Sequence, residues 1–164
     1  MCKSGEQTHD ATLPVILPLY EGGAAVLKGT YTQSVDAKGR MAFPAKLREA
    51  MGERLVMTRG VDGCIFVYTE QAFGELADRI SSLPMSKAIP LQRMLIAPAA
   101  DAGADKQERI LIPARLRQLA DIEGEAVVAG VADHCEIWSS ERWERLNSGF
   151  TDEDLMEALK GADF

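Results

Sequence analysis

The chain repeats itself, and the repeat constrains its fold more than any other property of the sequence. The segment Asp36-Ala-Lys-Gly-Arg-Met-Ala-Phe-Pro-Ala-Lys-Leu-Arg48 returns as Asp105-Lys-Gln-Glu-Arg-Ile-Leu-Ile-Pro-Ala-Arg-Leu-Arg117. Asp36 and Asp105, Arg40 and Arg109, Pro44 and Pro113, and Arg48 and Arg117 all lie 69 residues apart. After one inserted residue near Asp121–Glu125 the spacing becomes 70, so that Gly60 matches Gly130, Tyr68 matches Trp138 and Phe73 matches Trp143. Chance produces one such match, not an ordered set over about 45 residues. A unit of that length with four short strands cannot close a core alone. Two copies are therefore expected to interleave into one body with pseudo-two-fold symmetry.

Each copy reads in the same order. Residues 29–35 are rich in strand formers, residues 36–40 form a turn with Gly39 able to take positive φ, and residues 40–43 resume as a strand. Pro44 suits a first helical position, Leu47, Ala50 and Met51 follow at helical spacing, and Gly52 stops the helix. Residues 55–58 and 64–68 are two more strands. The second copy places its strands near 99–104, 110–112, 126–129 and 135–138, with a helix over 113–120. Between the copies, Thr69 is expected to cap a helix with Phe73, Leu76, Ala77, Ile80 and Leu83 on one face. Ser86 is expected to cap a second, bounded by Pro90 and Pro98. Thr151-Asp-Glu-Asp154 opens a last helix carrying Leu155, Met156 and Leu159, ended by Gly161.

Several classes of function fall on composition and motif. The apolar run Leu13–Tyr20 is broken by Pro14 and Pro18 and is far short of the roughly 20 residues of a membrane span. Glu6 and Asp10 stand where a secretory signal is basic. The three cysteines, Cys2, Cys64 and Cys135, are widely spaced with no CxxC, which speaks against a zinc site or a disulfide framework and fits a reducing cytoplasm. His9 and His134 are the only histidines, and His134 is read as a polar residue ahead of a strand. No phosphate loop or dinucleotide fingerprint occurs. The chain is read as no enzyme, with no cofactor, no catalytic residue and no metal ligand. Asp36 and Asp105, related by the repeat, raise the idea of an acid dyad, but each has an arginine four residues on that would pair with it and depress its pKa. Tyr68, Phe73, Trp138 and Trp143 are assigned to packing rather than to a stacking platform for bases.

The net charge of −7 argues against a surface coated for nucleic acid. Its distribution is uneven. Residues 36–59 hold Lys38, Arg40, Lys46, Arg48, Arg54 and Arg59 against Asp36, Glu49 and Glu53, a local +3, so the rest of the chain sums to −10. A guanidinium on a rigid turn presents a planar fork to phosphate or to a guanine edge, and a lysine beside it suits phosphate.

These residues resemble those of the MraZ family of bacterial transcription regulators, built from two AbrB/SpoVT-type units. The resemblance covers about residues 26–146 and rests on Gly29-Thr-Tyr31, Val35-Asp-Ala-Lys-Gly-Arg40, Pro44-Ala-Lys-Leu-Arg48, Thr58-Arg-Gly60 and Cys64-Ile-Phe-Val-Tyr68. It continues in Arg109-Ile-Leu-Ile-Pro113, Leu116-Arg117, Glu136-Ile-Trp138 and Trp143. It implies an α+β, mainly β fold: a duplicated swapped-hairpin β-barrel with short helices. The units fall at 29–76 and 99–146, joined by a helical connection at 77–98 and followed by a C-terminal helix at 147–164. Residues 1–25 have no counterpart in the family pattern and are read as a leader, either disordered or arising from a start assigned ahead of Val26.

The resemblance further implies a cytoplasmic, nucleoid-associated regulator that assembles into a ring and binds direct repeats in double-stranded DNA. It would repress its own cell-division and cell-wall operon, with no membrane or small-molecule partner. Arg40 is assigned to the DNA groove, Lys38 to phosphate, and Arg48 to a lesser contact or a structural pairing. Glu108 stands where the family's second copy carries glycine, so the second turn is expected to lose its flexible residue and to stay off the DNA. The alternative is an AbrB-type protein-interaction or antitoxin-like module with no operator of its own.

Overall fold

The computed structural model describes residues 26–162; the leader assigned to residues 1–25 lies outside them. Two runs of the same element order follow one another. The first contains β1 (Thr30–Ser34), β2 (Arg40–Ala42), α1 (Ala45–Met51), β3 (Leu55–Arg59), β4 (Ile65–Thr69), α2 (Glu70–Ser81) and α3 (Met85–Leu91). The second contains β5 (Ala100–Asp101), β6 (Arg109–Leu111), α4 (Ala114–Leu119), β7 (Glu125–Gly130), β8 (Cys135–Ser139), α5 (Ser140–Gly149) and α6 (Asp152–Lys160).

The strands pair across the halves. A six-stranded antiparallel sheet runs β1-β7-β8-β4-β3-β5, and β2 and β6 form a separate two-stranded ribbon. Exchanging the two halves reverses the six-strand order onto itself, which is the signature of a pseudo-two-fold axis. The axis can be placed by register. Met41 faces Ile110 in the ribbon, and Phe66 faces Glu136 where β4 meets β8; both are repeat-related pairs. The fold is thus a duplicated α+β barrel in which each half lends its first hairpin to the other.

The core follows from this exchange. Met41, Met57, Ile65, Val67, Ile110, Ile112, Leu116, Val128 and Ile137 are all fully enclosed, packed between the sheet, the ribbon and helices α1 and α4. Burying such side chains stabilises by about 1.5–3 kcal/mol each. On the opposite face of the sheet Cys64, Val127 and Trp138 form a smaller cluster with Phe66 and Trp143. Trp138 and Trp143 therefore serve packing, as their sequence setting implies, and Tyr68 lies against Phe73 with ring centroids 6.3 Å apart. His134 lies just before β8, stacked on Tyr68 and edge-on to Phe66, with Nδ1 2.7 Å from Asp133 Oδ1.

Three local expectations change. Ser86 is not a cap: Pro84 precedes the first turn of α3, and Ser86 lies inside it. Pro90 does not end the helix either. Without an N–H it forgoes one backbone bond, and the chain continues into a π-helical turn, Gln92–Ile96, closed by Ala97 N–H donating to the Gln92 carbonyl at 2.9 Å. A widened turn of this kind accommodates a disrupted hydrogen-bond ladder without ending the helix. The strand expected near 99–104 is reduced to Ala100–Asp101, with an isolated bridge from Ala104 to Ile110. By contrast Thr69, Ser139 and Thr151 cap α2, α5 and α6 through their hydroxyls, and Thr151 with Asp154 completes a capping box.

Cys64 and Cys135 are buried. Burial, with the Glu136 carboxylate nearby, pushes both thiols up, Cys135 to about 12. Thiolate is the reactive form, so neither residue should be alkylated in the native protein at pH 8, and both should be alkylated in denaturant. Peptide mass spectrometry after iodoacetamide checks this; modification of either residue under native conditions contradicts it.

Candidate nucleic-acid interface

Antiparallel pairing of β2 with β6 sets one hairpin turn at each end of a ribbon only three residues long. Each turn is held by its own aspartate. Asp36 Oδ1 accepts the backbone N–H of Lys38 at 3.0 Å and of Arg40 at 2.8 Å, while Oδ2 accepts Arg40 Nε at 2.8 Å. Asp105 repeats this with Gln107, Arg109 and Arg109 Nε at 2.8, 2.9 and 3.1 Å. The Arg40 N–H holds the Asp36 carboxyl below the usual carboxylate range, and the Arg109 N–H does the same for Asp105. Both carboxylates are therefore ionised at neutral pH and act as braces. What they contribute to the turns is present above the ordinary carboxylate range and is lost as pH falls through their lowered values.

The two sides also brace each other. Arg109 Nη1 lies 3.7 Å from Asp36 Oδ2, so one carboxylate orients an arginine from each half. Arg117 Nε donates to the Ile112 carbonyl at 3.1 Å, and its guanidinium lies over Gly39, where an added Cβ would come within 2.4 Å of Nε. Arg48, from the other half, donates from Nη1 to the Glu108 carbonyl at 3.3 Å. Each short helix thus sends an arginine to the opposite half's turn.

The sequence-assigned residues are distributed accordingly. Lys38 is exposed at the tip. Arg40 is half-buried, with its Nε committed to Asp36. Arg48 sits beside the second turn with a backbone carbonyl as partner. Local reading of the sequence misses Arg109 as a partner of Asp36 and Arg117 as the cover over Gly39. The signal available for Arg117 is its identity with Arg48 at the repeat spacing.

The second turn departs from expectation in one respect. Glu108 takes φ +59°, matching the left-handed conformation of Gly39 at +87°. The loss of glycine does not change the shape of the turn; it adds strain of about 1–2 kcal/mol and a carboxylate.

The family model described as "MraZ protein, putative antitoxin-like" matches the chain twice, over residues 26–94 and 95–163. The chain belongs to the MraZ family. Among its relatives, the transcriptional regulator MraZ of Herpetosiphon aurantiacus is 46% identical over 127 residues, spanning 76% of this chain and 89% of its own length. That of Lachnoclostridium phytofermentans is 47% identical over 117 residues, 71% of this chain and 83% of its own. That of a Thermoanaerobacter species is 41% identical over 138 residues, 82% of this chain and 96% of its own. The two MraZ matches extend beyond the strands: each takes in a four-strand set and the two helices that follow it, so the repeated unit includes α2 with α3 and α5 with α6.

Proposed function

We propose that this MraZ-family chain is a cytoplasmic, nucleoid-associated transcription regulator that binds double-stranded DNA through the paired hairpin tip. On this reading it represses its own cell-division and cell-wall operon as a ring engaging direct repeats. The observation that carries the reading is the pair of arginines on one carboxylate: Asp36 fixes Arg40 and steadies Arg109 at an exposed tip where Lys38 stands beside them. A pre-oriented fork loses little side-chain freedom on binding, which suits a groove or base-edge contact. Lys38 takes phosphate. Arg48, tied to the Glu108 carbonyl, takes the lesser part. The relatives' name as transcriptional regulators and the local +3 of residues 36–59 support this reading. Among the described residues no helix is long and apolar enough to cross a membrane. The modest charge of one tip leaves affinity to several tips acting together, as multivalency allows.

Gel shift on the region upstream of the chain's own operon tests the reading. Arg40→Ala should weaken binding about 10- to 100-fold, the worth of one good base contact, and Lys38→Ala should mainly flatten the salt dependence. Unchanged affinity in Arg40→Ala would reject the tip assignment. The family description's antitoxin-like wording favours a second reading, a protein-interaction module. Under that reading wild-type protein would select no DNA site from genomic fragments and would instead retain a protein partner after nuclease treatment.

A further inference from the structure

Of the large apolar side chains exposed among the described residues, Leu111 alone lies in a strand, and it is 53% exposed. Side chains alternate along a strand, and Met41 and Ile110 point into the core. Arg40, Ala42, Arg109 and Leu111 therefore share the outer face of the β2–β6 ribbon. Register places Leu111 directly across from Arg40, and Ala42 across from Arg109. Directly paired residues hold their Cβ atoms about 5 Å apart, so the leucine and the arginine project from neighbouring points. The face is firmly backed. Both inward residues are at most 1% exposed, and Asp36 holds Arg40 by its Nε at 2.8 Å.

What covers Leu111 follows from its setting. Arg40 and Arg109 share its face, and Lys46 and Arg115 are the second residues of α1 and α4, the helices that follow the two ribbon strands. Lys46 and Arg115 are both exposed and form no ion pair among the described residues. Of the carboxylates at the turns, Asp36 and Asp105 are engaged by the arginines, and Glu108 lies before β6 whereas Leu111 ends it. An apolar side chain set among cations fits a polyanion that offers a small apolar group beside its hydrogen-bonding edges. Double-stranded DNA has such a group in the C5-methyl of thymine, displayed in the major groove. Groove width points the same way. Strands of a ribbon lie about 4.8 Å apart; the major groove, about 12 Å wide, admits such a ribbon, and the minor groove, about 6 Å wide, does not.

We propose that Leu111 packs against a thymine methyl in the major groove, beside the base edge met by Arg40, and so adds sequence discrimination that charge alone does not give. The inference rests on the DNA contact proposed above and is independent of the ring. The residue that matches Leu111 at the repeat spacing of 69 is Ala42, whose single methyl reaches less far. One end of the ribbon therefore makes this contact and the other does not.

The test uses the full chain and a synthetic duplex carrying the site that wild-type protein selects from the region upstream of its own operon. Each thymine of the site is replaced in turn by deoxyuridine, which removes the methyl and leaves the pairing intact. For wild type, one such replacement should weaken binding about fourfold in a fluorescence-anisotropy titration, the worth of one buried methyl-sized group. Leu111→Ala should bind the unmodified duplex at least about fourfold more weakly and should be indifferent to deoxyuridine at that same position. Leu111→Met keeps the apolar reach and should keep the sensitivity. The position is exposed, so circular dichroism and the urea midpoint of both variants should match wild type. Wild type that is insensitive to every replacement overturns the inference, as does a sensitivity that Leu111→Ala retains. In either case Arg40→Ala still weakening the complex would mark the failure as that of the leucine contact alone. Wild type that selects no duplex overturns the inference and the DNA reading together.

Discussion

Replacing Ile110 with alanine should destabilise the protein by about 3–4 kcal/mol, read as a fall in the urea midpoint with an unchanged slope. Ile110 is 1% exposed and faces Met41, itself fully buried, where the ribbon crosses the pseudo-two-fold axis. A cavity opened there has no neighbour free to collapse into it, because the ribbon is only three residues long on each side and held by the braced turns. Met41→Ala should cost a similar amount, since Leu, Ile and Met truncations in cores share a range of roughly 2–5 kcal/mol. The double variant should cost less than the sum, because the two side chains line one space. A loss under about 1.5 kcal/mol for Ile110→Ala, typical of a volume-conserving change, would mean that the ribbon is not the closing element of the core.

The second large effect is a contrast between equivalent positions. Gly39→Ala should destabilise by about 3 kcal/mol, combining left-handed strain with overpacking. Its Cβ would lie 2.4 Å from Arg117 Nε and 2.8 Å from the Ile112 carbonyl oxygen, and that carbonyl is backbone and cannot swing away. Ile112 also donates its own N–H to the Gly39 carbonyl at 2.8 Å, so displacing one disturbs both. Glu108→Gly should act in the opposite direction, gaining about 1 kcal/mol by relieving the φ of +59°. Equal destabilisation by both substitutions, in thermal or urea unfolding, would contradict the account of the two turns.

What the sequence discloses and what it conceals divide along local and long-range lines. The turn at Asp36–Arg40 is legible because an aspartate, a glycine and an arginine within five residues make their own hydrogen bonds. The pairing of each aspartate with the arginine four residues on is equally local. The match of Gly60 to Gly130 marks the repeat, but not why glycine is needed. That reason is spatial: an added Cβ at Gly130 would stand 2.5 Å from the Lys28 backbone nitrogen, where the segment ahead of β1 crosses onto β7. Strand patterning carries no instruction about which edge a strand will join, so Arg109 reads as a partner of Asp105 alone until the ribbon brings it to Asp36. At Ser86 a favourable capping residue is overruled by a helix whose start is set two residues earlier by Pro84 and by the packing of Ala88. The Lys38 and Arg40 assignments need only local charge and turn geometry; Arg117 of α4 over the first turn and Arg48 of α1 at the second need the whole topology.

The exchange of hairpins within a single chain has one more consequence. Two identical chains sharing such an axis would show the same face on either side of it. Here one turn offers Lys38 and the other Gln107 and Glu108, so the ribbon carries a net +1 at one turn and 0 at the other, counting Asp36, Lys38 and Arg40 against Asp105, Lys106, Glu108 and Arg109. The surface therefore has a front and a back. On the proposed reading, a symmetric surface would be indifferent to which way its target runs, whereas this one could tell the two senses apart. On the proposed reading, successive sites would be met in the same sense by successive subunits, like teeth of one pitch on a single gear.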